Sequence, residues 1–336
     1  MKDFLSLADA GAEGAQSLVA LARSLERHPQ PDALAGKVLA LLFLNPSLRT
    51  LASFQSGMAR LGGSSFVITP ESSWQLEFEP GVAMTGAAAE HVREAIPVLA
   101  SYADALGIRS FAGGEDLGRD LAEPVLSAVS DVCPVPLINM ESAFDHPCQA
   151  LADWKTLDDL EIPANGGRFV LSWAQHPRPL PQAVPAAVLR MAAMRGMDVT
   201  VLRPAGYGLP VPIMDDAERL ATASGGSVRE TDDRTAALEG AHVLYAKSWT
   251  ATGCYGEPAA EAALRASFDG WTVAEDWFAP ATPDCGFMHC LPVRREVVVT
   301  GAVLEGPRSH VIAQARNRMY AQMAVLHQLL GEGDKK

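Results

Sequence analysis

The sequence predicts an α/β protein made of two doubly wound parallel-sheet domains with helices on both faces. Three observations lead there. Short continuous apolar runs, such as residues 38–44, read as strands buried on both faces; segments of helical period separate them; and the alternation begins again after the linker-like Pro163-Ala164-Asn165-Gly166-Gly167. The chain has 336 residues, enough for about two domains.

In order, the first roughly 35 residues read as helix, with Leu18, Leu21 and Leu25 at helical spacing before His28-Pro29-Gln30-Pro31. Residues 38–44 form a strand that Asn45-Pro46 ends. Phe54, Met58 and Leu61 share one helix face, Gly62-Gly63 closes that helix, and residues 65–68 are the next strand. Residues 69–86, with Trp74, lack a clear period and read as a long loop, which in a compact domain is functional or mobile. A helix over 87–105 must kink or restart at Pro97. The strand 106–108 then delivers Arg109 to a strand end, where ligands gather in open parallel sheets. A helix over 117–132, the Pro134 to Asn139 segment and a helix over 150–160 complete the first half. Beyond the linker, strands are expected at 168–173, 198–202, 228–231 and 242–246, and helices at 183–195, 214–224 and 232–239. A last strand ends in Met288-His289-Cys290-Leu291-Pro292, and a final helix has Met319, Met323, Leu326 and Leu330 on one face.

A formal charge of −13 argues against nucleic acid or an anionic membrane as partner, but not against a small anion in a pocket lined by arginines. No apolar run reaches the ~18 residues of a membrane span, and residues 1–16 lack the regions of a signal peptide, so a cytoplasmic protein is expected. Five cysteines without paired-ligand spacing indicate neither a disulfide framework nor a metal; Cys285 with His289 and Cys290 lacks a second pair. No G-x-G-x-x-G follows a strand, so no dinucleotide cofactor is expected, nor is a nicotinamide-dependent oxidoreductase.

Ser47-Leu48-Arg49-Thr50 follows the first strand directly. If Ser47 opens a helix, its hydroxyl, the unpaired N–H groups of the first turn and Arg49 converge on a seat suited to phosphate. An ordinary junction with a capping serine and a solvated arginine fits the same residues.

Ser47-Leu48-Arg49-Thr50, Arg109, His146-Pro147-Cys148-Gln149 and His289-Cys290-Leu291-Pro292 together resemble, in order and spacing, the aspartate/ornithine carbamoyltransferase family over essentially the whole chain. Trp74, Glu141, Trp173 to Pro179, Ala246-Lys247-Ser248-Trp249 and Pro292 to Arg295 resemble its branch acting on N-acylated ornithine in arginine biosynthesis. The resemblance implies a carbamoyl phosphate domain at 1–150, an acylornithine domain at 151–312, and a C-terminal helix, 313–336, packing back on the first. It implies that Ser47, Leu48, Arg49, Thr50 and Trp74 hold the phosphate, Trp74 reaching a neighbouring subunit's site in a homotrimer with shared active sites. Thr50, Arg109 and His146 would stabilise the carbonyl oxygen as the tetrahedral intermediate forms. Gln149 and the carbonyls of Cys290 and Leu291 would hold the carbamoyl amide, and Arg318 would complete the anion wall. The leaving phosphate is the expected proton acceptor; Cys290 would position the amine, covalent catalysis being the alternative. Glu141, His176, Arg178, Lys247 and Arg294 would hold the acceptor's α-carboxylate and acyl group, with Glu141 contacting an amide N–H or orienting the cations.

Within the branch, the resemblance favours N-succinyl-L-ornithine over N-acetyl-L-ornithine. Glu141 and His146 have the longer spacing of the succinyl enzymes, and Val298 stands where acetyl enzymes tend to have Lys. Ala89 stands where acetyl enzymes typically have Glu and succinyl enzymes Pro; a carboxylate there would repel the succinyl group. Three departures stand out: Leu51 replaces a second Arg, the usual acidic residues are missing around Met84 to Ala87, and Ala89 matches neither branch. The alternative from another class is a carbamoyltransferase-like binding protein without turnover. The plain structural readings are a core role for His146, His289, Trp173 and Trp249, and a solvated or structural one for Arg295.

Overall fold

The apolar run after Lys37 forms β1 (Val38–Phe43) in the computed structural model, which describes residues 1–331, and five of the six strand residues are buried. Contacts divide the chain into two compact units. One comprises Met1–Gly113, Gly118–Leu151 and the chain from Arg318 onward; the other comprises Gly114–Leu117 and Ala152–Asn317.

In the first unit α1 (Gly11–Arg27) precedes β1, and α2 (Leu48–Arg60) leads to β2 (Ser64–Ile68). The stretch expected as loop contains β3 (Leu76–Glu77), which pairs with β4 (Glu90–His91) in a two-stranded clip. α3 (Val92–Ala100) then leads to β5 (Ala105–Arg109), followed by α4 (Leu117–Leu121), α5 (Pro124–Ser130), β6 (Leu137–Glu141) and α6 (Pro147–Asp159). The sheet order is β2-β1-β5-β6, every pair parallel. Phe4 extends the β6 edge: its N–H donates to Leu137 O at 2.8 Å, and Asn139 N–H donates to Phe4 O at 2.9 Å. Strand order reverses between β1 and β5, so their C-terminal ends flank the crevice where open α/β sheets bind ligands.

Two expected helices differ. The helix predicted over 87–105 is α3 alone, because residues 90–91 pair as strand and the His91 ring caps the helix through Arg93 N–H; Pro97 lies inside it without ending it. The helix predicted over 117–132 is two, because Glu123 takes a left-handed conformation (φ 51°) just before Pro124, the first residue of α5. A residue preceding proline is disfavoured from the helical region.

The second unit holds β7 (Arg168–Trp173), α7 (Ala183–Met194), β8 (Asp198–Leu202), α8 (Val211–Ser224), β9 (Ser227–Thr231), α9 (Arg234–Leu238), β10 (Val243–Lys247), α10 (Pro258–Ala266), β11 (Gly286–Met288) and α11 (Gly301–Glu305). Its parallel sheet has the order β11-β10-β7-β8-β9, reversing between β7 and β10. Aromatic rings fill one end, with Trp173 and Tyr207 at 4.5 Å between centroids. Trp173 Nε1–H donates to Trp249 O and Trp249 Nε1–H to Tyr207 O, so both tryptophans are core residues.

α12 (Val311–Leu330) closes the described chain; residues 332–336 of the C-terminal helix expected over 313–336 lie outside the described residues. Its later part packs on α2 at Gly57, where a Cβ would meet Met323 Cγ at 3.1 Å. No helix among the described residues is long and apolar enough to cross a membrane.

Candidate active site

Ser47 is the N-cap of α2: its extended backbone ends the β1 turn, and its Oγ accepts from Thr50 N–H at 3.3 Å. The hydroxyl in turn donates to Thr50 Oγ1 at 3.0 Å. Arg318 Nη2 donates to the same Thr50 oxygen at 2.7 Å. Thr50 Oγ1 therefore accepts twice and keeps its own proton for a third group. Leu48, by contrast, exposes its side chain, leaving only its backbone for a ligand. Arg318 is 3% exposed, and its burial pulls the guanidinium below its usual pKa while Glu141 opposes the shift. Asn45 Oδ1 accepts from Phe111 N–H at 2.7 Å, tying the end of β1 to the turn after β5.

Arg109 ends β5 and pairs through Nη1 with Glu141 Oε2 at the end of β6. His146 Nε2 lies 3.4 Å from the same carboxylate oxygen. Arg109, Glu141, His146 and Gln149 are all buried, so one carboxylate sits between two cationic or donor groups in a low-dielectric setting. Within this unit Glu141 orients Arg109 and His146. The Nε atoms of Arg109 and Arg318 are buried and find no hydrogen-bond partner among the described residues. Cys148, on the first turn of α6, is an inert thiol: burial pushes it up to about 12.

Trp74 is 60% exposed, and its Nε1–H donates to Glu90 Oε2 at 2.8 Å. Ala89, also exposed, donates its N–H to Gln75 O at 3.0 Å. The clip thus presents Trp74 and Ala89 side by side. Its far end is fastened by Arg119 pairing with Glu79, and by the His91 ring on Glu79 O at 3.1 Å.

The second unit gathers another set. Lys247 ends β10, and His176 and Arg178 lie on the turn after β7. Arg294 Nε donates to His176 Nε2 at 3.1 Å. A guanidinium has only donors, so Nε2 is the unprotonated nitrogen of a neutral ring; Nδ1 lies 2.9 Å from Arg178 O and 3.1 Å from Arg178 N, and its proton then goes to the carbonyl rather than Nδ1 accepting from the N–H. Burial, then the charges of Arg294, Lys247 and Arg265, lowers the His176 pKa, in keeping with a neutral ring. Cys290 is buried beyond β11; Leu291 has φ 56° and precedes a cis Pro292. His289 Nδ1 accepts from Leu291 N–H at 2.9 Å, a structural role inside the turn. Arg295 pairs with Glu305 at 2.5 Å on the surface.

Sequence reasoning missed several groups that hold these side chains. Glu123 accepts from Ser142 Oγ at 2.8 Å, Ala143 N–H at 3.0 Å and Phe144 N–H at 2.7 Å, fixing the turn between Glu141 and His146. The Glu123-Pro124 pair was the signal that a helix could not run through. Gln314 accepts from His289 N–H at 3.0 Å and donates to Asp153 Oδ1 at 2.8 Å, and no local pattern marks it. Arg265, four residues after Glu261, shows in the sequence only as an ordinary helical ion pair.

Residues 2–159 match the family described as "Aspartate/ornithine carbamoyltransferase, carbamoyl-P binding domain", and residues 183–329 match "Aspartate/ornithine carbamoyltransferase, Asp/Orn binding domain". The chain is 38% identical over 336 residues to the N-acetylornithine carbamoyltransferase of Xanthomonas campestris pv. campestris, covering 99% of this chain and 98% of that protein. It is 36% identical over 333 residues to the N-succinylornithine carbamoyltransferase of Bacteroides thetaiotaomicron, covering 98% and 99%. A solved N-acetyl-L-ornithine transcarbamylase, as a variant with one glutamate replaced by alanine, complexed with carbamyl phosphate and N-succinyl-L-norvaline, superposes with a TM-score of 0.95 at 38% identity, covering 98% of this chain and 100% of that chain.

Proposed function

This chain belongs to the aspartate/ornithine carbamoyltransferase family, and on that premise we propose that it transfers the carbamoyl group of carbamoyl phosphate to the δ-amine of N-succinyl-L-ornithine, giving N-succinyl-L-citrulline and phosphate. Carbamoyl transfer to an acylated ornithine is the part that its relatives of both names support. The observation that carries the chemistry is the buried Thr50–Arg318 and Arg109–Glu141–His146 arrangement in the first unit.

Ser47, Leu48, Arg49 and Thr50 at the N-terminus of α2, with Arg318, bind the phosphate. The neutral δ-amine attacks the carbonyl carbon, and its electron pair forms the new C–N bond while the C=O pair moves to oxygen. Thr50, Arg109 and His146 stabilise that oxyanion. When the oxyanion collapses the C–O bond to phosphate breaks, and the leaving phosphate takes the amine proton. Gln149 and the carbonyls of Cys290 and Leu291 bind the carbamoyl NH₂, and Cys290 serves position rather than covalent chemistry. Glu141 orients the two donors beside it. His176, Arg178, Lys247 and Arg294 bind the acceptor's carboxylates. Trp74 contributes its exposed ring to a neighbouring subunit of a homotrimer.

Ala89 supports succinyl as the acyl group, since it puts no carboxylate where acetyl enzymes typically have one. The relative bearing a glutamate-to-alanine replacement was solved with an N-succinyl ligand, which is in keeping with this reading. N-acetyl-L-ornithine is the second reading, favoured by the 38% identity to an enzyme of that name. Phosphate release measured with ornithine, N-acetyl-L-ornithine and N-succinyl-L-ornithine in parallel separates the two. Preference for the acetyl compound overturns the acyl assignment, and no release with any acceptor leaves a binding protein.

A further inference from the structure

We propose that Arg265 is a positioning residue for the acceptor-binding groups of the second unit, holding the turn that carries His176 against the turn that follows β10. The inference rests on the reading of His176, Arg178 and Arg294 given above. Arg265 lies on the last turn of α10 and is 4% exposed. Its Nη1 donates to His176 O at 3.3 Å and to Ser248 Oγ at 2.9 Å, and its Nη2 donates to Trp249 O at 3.0 Å. Glu261 takes the remaining guanidinium edge, and the rings of Trp173 and Tyr207 lie 5.4 and 5.5 Å from the guanidinium carbon.

These contacts assign position rather than substrate binding. A guanidinium whose charge is neutralised by a buried glutamate and whose donors already have acceptors has little left for a ligand. What it joins is significant: β7 and β10 are neighbours across the reversal of strand order, and the turns after such strands are where ligands sit. By fixing the His176 backbone, Arg265 fixes the ring that accepts from Arg294 at 3.1 Å. The other end of the same turn is tied separately, through Thr250 N–H to Leu180 O at 3.0 Å and Gln182 Nε2 to Thr250 O at 2.8 Å. Loss of Arg265 therefore frees the His176 end alone. Lysine cannot reproduce the hold, because a single ammonium does not present a planar fork to acceptors on two turns.

Arg265→Lys tests this with two readouts on the full chain. Amide exchange is expected to quicken at His176, Arg178, Ser248 and Trp249. The KM for N-succinyl-L-ornithine is expected to rise ~10-fold, as for the loss of a charge-assisted hydrogen bond, while the Kd for carbamoyl phosphate stays within about twofold. Unchanged exchange overturns the hold. Faster exchange with an unchanged acceptor KM, or an equal loss of carbamoyl phosphate affinity, overturns the positioning role. Should Arg265→Lys not fold, Ser248→Ala removes one acceptor only and is read the same way, with a KM rise of about threefold. A wild-type enzyme that turns over no acylornithine would overturn the reading of the site and this role with it; the exchange result would still decide whether Arg265 holds the turns.

Discussion

Arg318 Nη2 donates to Thr50 Oγ1 at 2.7 Å across 268 residues of sequence, joining the last helix to the first turn of α2. Because Ser47 Oγ donates to the same oxygen, the Thr50 proton is directed outward. Thr50→Val keeps the shape and removes that donor. We expect kcat to fall about 100-fold or more, as when one oxyanion donor is lost, and stability to drop by about 1–3 kcal/mol because the buried Arg318 guanidinium loses its acceptor. Phosphate-release kinetics check this, and a fall of less than ~10-fold would remove Thr50 from the donors.

Glu141 balances Arg109 and His146 inside the first unit. Its replacement by Ala leaves buried positive charge without compensation. We expect Glu141→Ala to lose about 3–5 kcal/mol of stability in urea unfolding, and Glu141→Gln, which keeps the shape, to lose less.

His176 is held below its ordinary pKa of 6.5 by burial first and then by Arg294, Lys247 and Arg265, with the Arg178 carbonyl opposing. As pH falls below 6.5 the unfolded chain takes up this proton before the folded one, so the group's contribution is constant above that value and subtracts stability below it. Protonation also converts Nε2 from acceptor to donor and breaks its bond from Arg294. The acceptor KM should therefore climb only as pH is lowered below 6.5. A KM that already climbs above pH 6.5 contradicts the neutral-ring assignment.

Ala89→Glu puts a carboxylate on the clip beside Trp74. Like-charge repulsion should lower kcat/KM for N-succinyl-L-ornithine by ~10-fold or more while leaving N-acetyl-L-ornithine nearly unaffected. Equal losses for both acceptors would place the acyl group elsewhere.

Gly62 follows α2 with φ 85°, and a Cβ there would run into the carbonyl oxygen of Pro31. Gly62→Ala combines left-handed strain with a backbone clash, so a loss of at least ~1–2 kcal/mol is expected in chemical denaturation. The first unit should register it, leaving acceptor preference unaltered.

The parallel α/β fold was legible because β1, β7 and β8 are short apolar runs whose burial on both faces shows in composition alone. The Ser47 cap was legible too, since capping is a matter of a few adjacent residues. What escaped depended on distant partners. Glu123 breaks a helical pattern with its left-handed backbone ahead of Pro124, and its carboxylate accepts from a turn about 20 residues further on. Residues 90–91 read as helix by period, yet pair with Leu76-Glu77. Gln314 and Arg265 are polar residues on helices, and only the assembled second unit gives them acceptors. The conjunction of Thr50 with Arg318 was invisible to local pattern and reached only through resemblance.

Ala89 is exposed and directly precedes the two-residue ladder of β3 and β4, whereas Arg109 and Glu141 are buried. Exposed substitutions of this kind usually change folding by no more than ~0.5 kcal/mol, whereas those in the buried pair threaten the native state. On the proposed function, with Ala89 beside the acyl group, acceptor choice is the evolvable part of the molecule: a lineage could try new acyl groups one surface mutation at a time, without putting the buried pair or the fold at risk.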